Sequence, residues 1–133
     1  MSDQTVSAEQ EVWTVIQNFN RAFAANDSDT YFTYIDEDII VMTPGNPYRI
    51  EGIEPDREEF EFGLQRGYSR IGYFQELQPG INVFGEVAIV TYYSRGSYGV
   101  EGSAKTLYLK ETDVLVRKAG VWKIVHIHVS AAH

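Results

Sequence analysis

The order of apolar and polar positions divides the chain into a helical first half and a β-structured second half. Val12, Ile16, Phe19 and Phe23 recur three or four residues apart, the spacing of one helix face. Ahead of them "SAEQ" at Ser7–Gln10 has the form of a capping box. The pattern stops at Asn26 and Asp27, so a long amphipathic first helix is predicted up to that point. "SDTYFTYI" then supplies a short second helix capped by Asp27 or Ser28. "IIVMT", Ile39–Thr43, is a continuous apolar run closed by the turn signal "PGNP"; it reads as a buried strand, with "YRIEG" as a short strand pairing back. In "EPDREEFEFGLQR" Pro55 stands at a first helical position, Asp56, Glu58 and Glu59 fall in the first turn, and Arg66 lies near the end. That charge order is the one a helix dipole favours, so the acidic run requires no ligand.

From about Tyr68 the period changes to two. Turn signals at Pro79–Gly80, Gly85–Glu86, Gly99–Gly102 and Lys118–Gly120 divide long strands rich in β-branched and aromatic residues, which reads as an antiparallel meander. Helices followed by such a sheet make an α+β fold, with N-terminal helices packed on one face of a long, bent antiparallel sheet and a cone left between them. The chain has no internal repeat or linker, and residues 1–133 are expected to form a single domain.

Charge and composition narrow the chemistry. Acids outnumber bases 19 to 11, a net charge of −8, which argues against binding nucleic acid or an anionic membrane, since both need Lys and Arg. The chain contains no cysteine, so no disulfide, thiolate metal site or cysteine nucleophile exists. Residues 1–10 lack the basic and apolar regions of a leader, and no apolar run approaches the roughly 18 residues of a membrane span. A cytoplasmic protein is expected. Neither a glycine-rich phosphate loop nor a nucleotide fingerprint is present, and no cofactor is expected.

The whole order of elements, and above all "ETDVLVRKAGVWKIVHIHVS" at Glu111–Ser130, resembles the nuclear-transport-factor-2-like superfamily. Within it the chain is most similar to the SnoaL-like proteins and to the association (hub) domain of calcium/calmodulin-dependent kinase II. The resemblance implies a cone-shaped fold and a homo-oligomer, and it implies that Val125, Ile127 and Val129 face the cone. Strict alternation along the last strand then turns Trp122, Ile124, His126, His128 and Ser130 outward, onto the surface such proteins use for dimer packing. Aligned on the hub pattern, Val90, Tyr92 and Ser94 also face the cone, with Leu109, Glu111, Asp113 and Leu115. The ketosteroid isomerases of the superfamily use an aspartate base before a proline, a tyrosine on the first helix and a second acid on a sheet strand. Asp113 matches the second acid, but the other two positions hold Thr43 and Phe19, which can neither take a proton as a carboxylate nor donate a hydrogen bond as a phenol. The hub's ligand-gripping arginines fall at Ser94, Asp113 and Val129, so a bound carboxylate is not implied.

Three function classes stay open. The first is an oligomeric domain, most simply a homodimer through the outer sheet face, whose pocket takes a small apolar or phenolic molecule. Phe19, Tyr31, Thr43, Val90, Ser94, Leu109, Leu115, Ile127 and Val129 would line that pocket. The second is a cofactor-independent isomerase, cyclase or lyase, with Asp113, Glu111 and Tyr92 as catalytic groups. Two carboxyls close together in a low dielectric have raised pKa values, and a protonated one can donate to a developing oxyanion. The third is a metal enzyme on His126 and His128. That pair supplies two ligands where a catalytic zinc takes three, and the remaining histidine is the terminal His133, so no metal is expected.

Overall fold

The computed structural model describes residues 6–65, 68–100 and 102–132, with the side chains of 68–73 and 100 outside that description. Three helices precede most of the sheet: α1 (Ala8–Ala24), α2 (Ser28–Thr33) and α3 (Ile53–Gln65). The strands are β1 (Ile35–Met42), β2 (Ile50–Glu51), β3 (Tyr68–Phe84), β4 (Val87–Val100), β5 (Lys105–Lys118) and β6 (Val121–Ala131).

The helix starts follow the sequence signals. Ser7 accepts from the Gln10 backbone N–H and the Gln10 side chain accepts from the Ser7 N–H, completing the capping box of α1. The Asp27 side chain caps α2 by accepting from the Thr30 N–H. Helix α3 begins at Ile53, two residues before Pro55, because Gly52 makes the entry turn at φ 98°, a conformation that only glycine adopts without strain. Pro55 still lies in the first turn, where its missing N–H has no carbonyl to serve. Arg66 and His133 lie outside the described residues.

The six strands form one sheet in the order β2-β1-β6-β5-β4-β3. It is antiparallel except between its second and third strands, where β1 runs parallel to β6, as a first strand followed by a long excursion can. A two-residue turn at Ala119 (φ 51°) and Gly120 (φ 79°) joins β5 to β6, both residues in the left-handed conformation such hairpins demand. The expected turn at Pro79–Gly80 is instead an irregularity within β3, where the pairing to β4 shifts between Leu77 and Gly80 and Gln78 takes φ 52°. One long strand bends there rather than ending, which helps curve the sheet around the helices.

A second irregularity corrects the expected alternation of β6. Leu115 pairs with Ile124 but Val114 pairs with His126, which leaves Val125 as an extra residue in β6. Such a bulge advances the side-chain phase by one. Trp122 and Ile124, expected outward, are therefore buried in the core, and Val125 is not one of the cone-facing positions; beyond the bulge Ile127 and Val129 face the cone as expected. The core proper lies between α1, α2 and the concave sheet face. It is built from Val12, Ile16, Ile39, Val90, Leu115 and Ile124, each of which contributes on the order of 1.5–3 kcal/mol by leaving water. Rings fill the space under the helices: Phe19 stacks on Tyr31 at 4.6 Å, and Phe23 stands edge-on to Phe60 and Phe74 at 6.2 Å.

Candidate functional site

Strands β4 and β5 pair without interruption from Val87–Val116 to Tyr98–Lys105, so a side chain's face follows from its parity. Ala88, Val90, Tyr92 and Ser94 of β4 and Glu111, Asp113 and Leu115 of β5 all turn inward and are buried. Tyr92 lies directly opposite Glu111, and Val90 opposite Asp113. The three groups expected to carry chemistry are therefore brought together: the Tyr92 hydroxyl donates to Glu111 Oε2 at 2.6 Å and lies 3.1 Å from Asp113 Oδ2.

Two further residues complete the cluster. Asn20, on the inward face of α1, donates from Nδ2 to Tyr92 Oη at 3.1 Å and to Glu76 Oε2 at 2.7 Å, tying β3 to β4 and β5 through the helix. Asn20 falls four residues after Ile16 and eight after Val12. A polar residue on that apolar stripe was the available signal for it. Glu76 carried no such signal, because the irregularity at Gln78–Pro79 resets the parity of β3 just beyond it. The edge of the Trp13 ring packs on Tyr92 at 5.9 Å.

This arrangement dictates where the protons sit. Tyr92 has one hydroxyl hydrogen and gives it to Glu111, so the contact between Tyr92 and Asp113 is a hydrogen bond only if Asp113 donates. Burial, then the charge of the adjacent Glu111, pushes the Asp113 carboxyl well above the usual range, so Asp113 is the member that keeps its proton. Burial also raises Glu111, opposed by its hydrogen bonds to Asp113 and Tyr92. Tyr92 is raised by burial and by the two acids beside it. Glu76 is raised by burial, against the Asn20 hydrogen bond and the charge of Arg21. Among the described residues no positive charge opposes the pair at close range: Arg117 forks onto Glu86 at 2.8 and 2.9 Å, and Arg95 lies 5.9 Å from the Tyr108 ring. Within this cluster Asp113 Oδ1 and Ser94 Oγ have no hydrogen-bond partner among the described residues.

The expected pocket residues do not line one space. Phe19, Tyr31, Val90, Leu115 and Ile127 are packed in the hydrophobic core, while Leu109 is half-buried further along β5. Ser94 is buried beside the Tyr92 cluster, Val129 lies on the cone face opposite Glu111 and also borders a groove of about 230 Å³, and Thr43 lines that groove with Pro44, Tyr48, His128 and Ser130. Thr43 is thus not joined to the Tyr92 cluster by any hydrogen bond. His126 and His128 face outward opposite Val114 and Thr112, with ring centres 6.5 Å apart. Among the described residues no group of three or more His, Asp or Glu side chains is arranged to hold a metal ion.

A curved sheet wrapped around three helices, with an acid cluster on its concave face, is the nuclear-transport-factor-2-like cone. A ketosteroid isomerase-like protein from Erwinia carotovora atroseptica superposes with a TM-score of 0.82 over 97% of this chain and 99% of its own; at 15% identity that likeness is one of fold. The family model for the calcium/calmodulin dependent protein kinase II association domain matches residues 8–133, and the chain belongs to that family. The S. rosetta hub of the kinase is 25% identical, with a TM-score of 0.80 over 96% of this chain and 99% of that one. The delta subunit of the kinase from Oryctolagus cuniculus is 30% identical over 99% of this chain and 25% of its own length. The chain thus spans about a quarter of the length of the curated relatives it matches. Among the described residues no helix is long and apolar enough to cross a membrane.

Proposed function

We propose that residues 1–133 act as one self-associating domain, whose copies join through the outer face of the sheet and whose cone takes a small, mostly apolar or phenolic molecule. The reading includes the cytoplasm as its compartment, with which the absence of cysteine agrees. One observation carries it. The convex face presents Met42, Tyr93 and Tyr108, respectively 42, 47 and 53% exposed, around Thr91, Thr112 and the two outward histidines. A face of that kind on a folded domain is matched by a second surface of the same kind, and a two-fold axis lets one patch serve both copies. Membership of an association-domain family points the same way. Sedimentation of the purified chain is the test, with a species larger than 15.1 kDa expected. A lone 15.1 kDa species at micromolar concentration would refute assembly.

A second reading is supported by the Tyr92–Glu111–Asp113 contacts at 2.6 and 3.1 Å. A neutral Asp113 beside a phenol is a pair of donors for a developing oxyanion, with Glu111 as the base, which is what proton transfer next to a carbonyl requires. This isomerase or lyase reading predicts deuterium exchange at the carbon beside the carbonyl of an aryl ketone, abolished in Tyr92→Phe. Exchange no faster than in buffer removes it.

A further inference from the structure

We propose that the floor of the cone is a binding site for an ammonium group on an apolar or aromatic body, that is, for a small organic amine in its charged form. The inference rests on the pocket reading above and assigns the chemistry of its ligand.

Oxygen-bearing side chains occupy three successive rows of the concave sheet face. Glu76 of β3 stands opposite Ser94 of β4, Tyr92 opposite Glu111, and Asp113 opposite Val90. Within this floor Ser94 Oγ and Asp113 Oδ1 lack partners, on residues that are 2% and 0% exposed. A buried polar atom without a partner costs about 1–3 kcal/mol; Asp113 Oδ1 can only be met by a donor, and the Ser94 hydroxyl can accept one bond while donating another. The donor the protein does supply, the Asn20 amide, is already spent on Glu76 and Tyr92. Arg21 is exposed and donates to Asn18, acting on Glu76 only by its charge.

Among the described residues three acids and two unpartnered oxygens stand here with no cation in contact, an arrangement that asks for donors and positive charge. A carboxylate or phosphate brings neither. An ammonium brings up to three donors, no acceptor and the missing charge. The Trp13 and Tyr92 rings add π surface for a cation, and Phe23, Phe74 and Tyr98, with ring centres 6.1–6.2 Å apart, offer a wall for an apolar body. Glu76 and Trp13 are half-buried, so the least covered end of the cluster lies on its α1 and β3 side.

Proton linkage follows from the same groups. Among the described residues Glu76 of β3, Tyr92 of β4, Glu111 and Asp113 of β5 and the more distant Arg21 of α1 are the titratable or charged groups around the site, while β6 presents Ile127 and Val129. The proton that Asp113 keeps in the free protein is replaced by the incoming cation, so amine affinity rises with pH.

Calorimetric titration of the full chain with three probes of one shape tests this: benzylammonium, benzyl alcohol and benzoate. Benzylammonium is expected to bind at least about tenfold more tightly than benzyl alcohol, with benzoate weakest, because only the cation opposes the charge of the site. Its affinity should increase between about pH 5 and about pH 8, and its heat should vary with the ionisation enthalpy of the buffer, reporting a released proton. The double variant Glu111→Gln, Asp113→Asn keeps shape and removes charge; it should lose about tenfold for the amine and little for the alcohol. If that variant does not fold, Ser94→Ala, losing an acceptor, should weaken the amine by about threefold. Alcohol or benzoate binding as tightly as the amine overturns the ammonium assignment and leaves the pocket standing. No binding of any of the three overturns both.

Discussion

The two faces of β4 and β5 are made of alternate residues of the same strands, yet they invert the usual placement of polarity. Inward lie Tyr92, Ser94, Glu111 and Asp113, all buried; outward lie Ile89, Thr91, Tyr93 and Tyr108, none of them buried. Burial here follows from what covers a face rather than from what is on it, since the helices lie only on the concave side. Acids inside and rings outside are unfavourable for a lone monomer. On the proposed reading both become favourable, with a ligand on one face and a second copy on the other.

The largest expected effect comes from erasing the device that sets the two faces of β6. Deleting Val125 removes the bulge, so that either Trp122 and Ile124 or Ile127 and Val129 must leave the concave face. Either choice strips at least two large side chains from the core, a loss of about 3–6 kcal/mol, which urea unfolding should register as loss of the cooperative transition. A deletion variant as stable as the parent would mean that β6 slips freely.

Leu115→Ala and Tyr93→Glu compare the two faces directly. Leu115 is fully buried, and its truncation should cost about 3 kcal/mol of unfolding free energy. Tyr93 is outward and 47% exposed, so Tyr93→Glu should move the intrinsic stability by about 0.5 kcal/mol or less while weakening association by at least about tenfold. Sedimentation across a dilution series separates the two. A Tyr93→Glu protein that assembles like the parent would place the interface elsewhere.

How much of this could be read beforehand depended on whether the local rules ran unbroken. Ser7, Gln10 and the Val12–Ile16–Phe19–Phe23 stripe defined α1 because capping and periodicity are local. Tyr92, Glu111 and Asp113 were placed on one face correctly because the β4–β5 hairpin has no bulge between them. Alternation fails where a strand gains a residue, and nothing in "VWKIVHIHV" marks Val125 as the extra one; the choice is made by Trp122 and Ile124 finding the core. Pro79–Gly80 shows the converse, a strong turn signal absorbed as a bend because both flanks still pair with β4. Asn20 and Glu76 meet across 56 residues of sequence, a distance no periodicity spans.

The concave face should also show itself in pH dependence. Asp113 has a raised folded-state value, so between about pH 4, where the unfolded chain loses this proton, and that raised value, the folded protein holds a proton the unfolded chain has released. Stability therefore falls as pH rises through this window and is greatest below it, with a slope of up to about 1.4 kcal/mol per pH unit for one group. Asp56 adds the same sign, since burial and then Glu59 push it up to about 7. Asp36 has the opposite sign and acts only below about pH 4, where its stabilisation is lost on acidification: burial raises it, but the Asp38 N–H and the Lys118 ammonium at 3.0 Å outweigh that and hold it low. Asp113→Asn isolates the concave cluster. Denaturant midpoints measured from about pH 5 to about pH 8 should fall less steeply in the variant than in the parent. Identical slopes would mean that Asp113 ionises as an ordinary exposed acid does.

The smallest effect belongs to Ser94, and its sign carries the information. Its hydroxyl is buried on the concave face without a partner, whereas Thr91, three residues earlier and on the opposite face, is exposed to water. Truncating an exposed threonine in a strand removes a β-branched side chain and should destabilise by a few tenths of a kcal/mol. Truncating Ser94 removes an oxygen that was dehydrated and received nothing in return, so Ser94→Ala should stabilise the ligand-free protein by up to about 1 kcal/mol. Urea unfolding of both variants, referred to the parent, gives the comparison. Opposite signs mean that the concave face holds an unsatisfied polar group, as the proposed ligand site requires. Destabilisation by Ser94→Ala would show that the hydroxyl already has a partner in solution, and the floor of the cone would then be a packed core with a few acids in it.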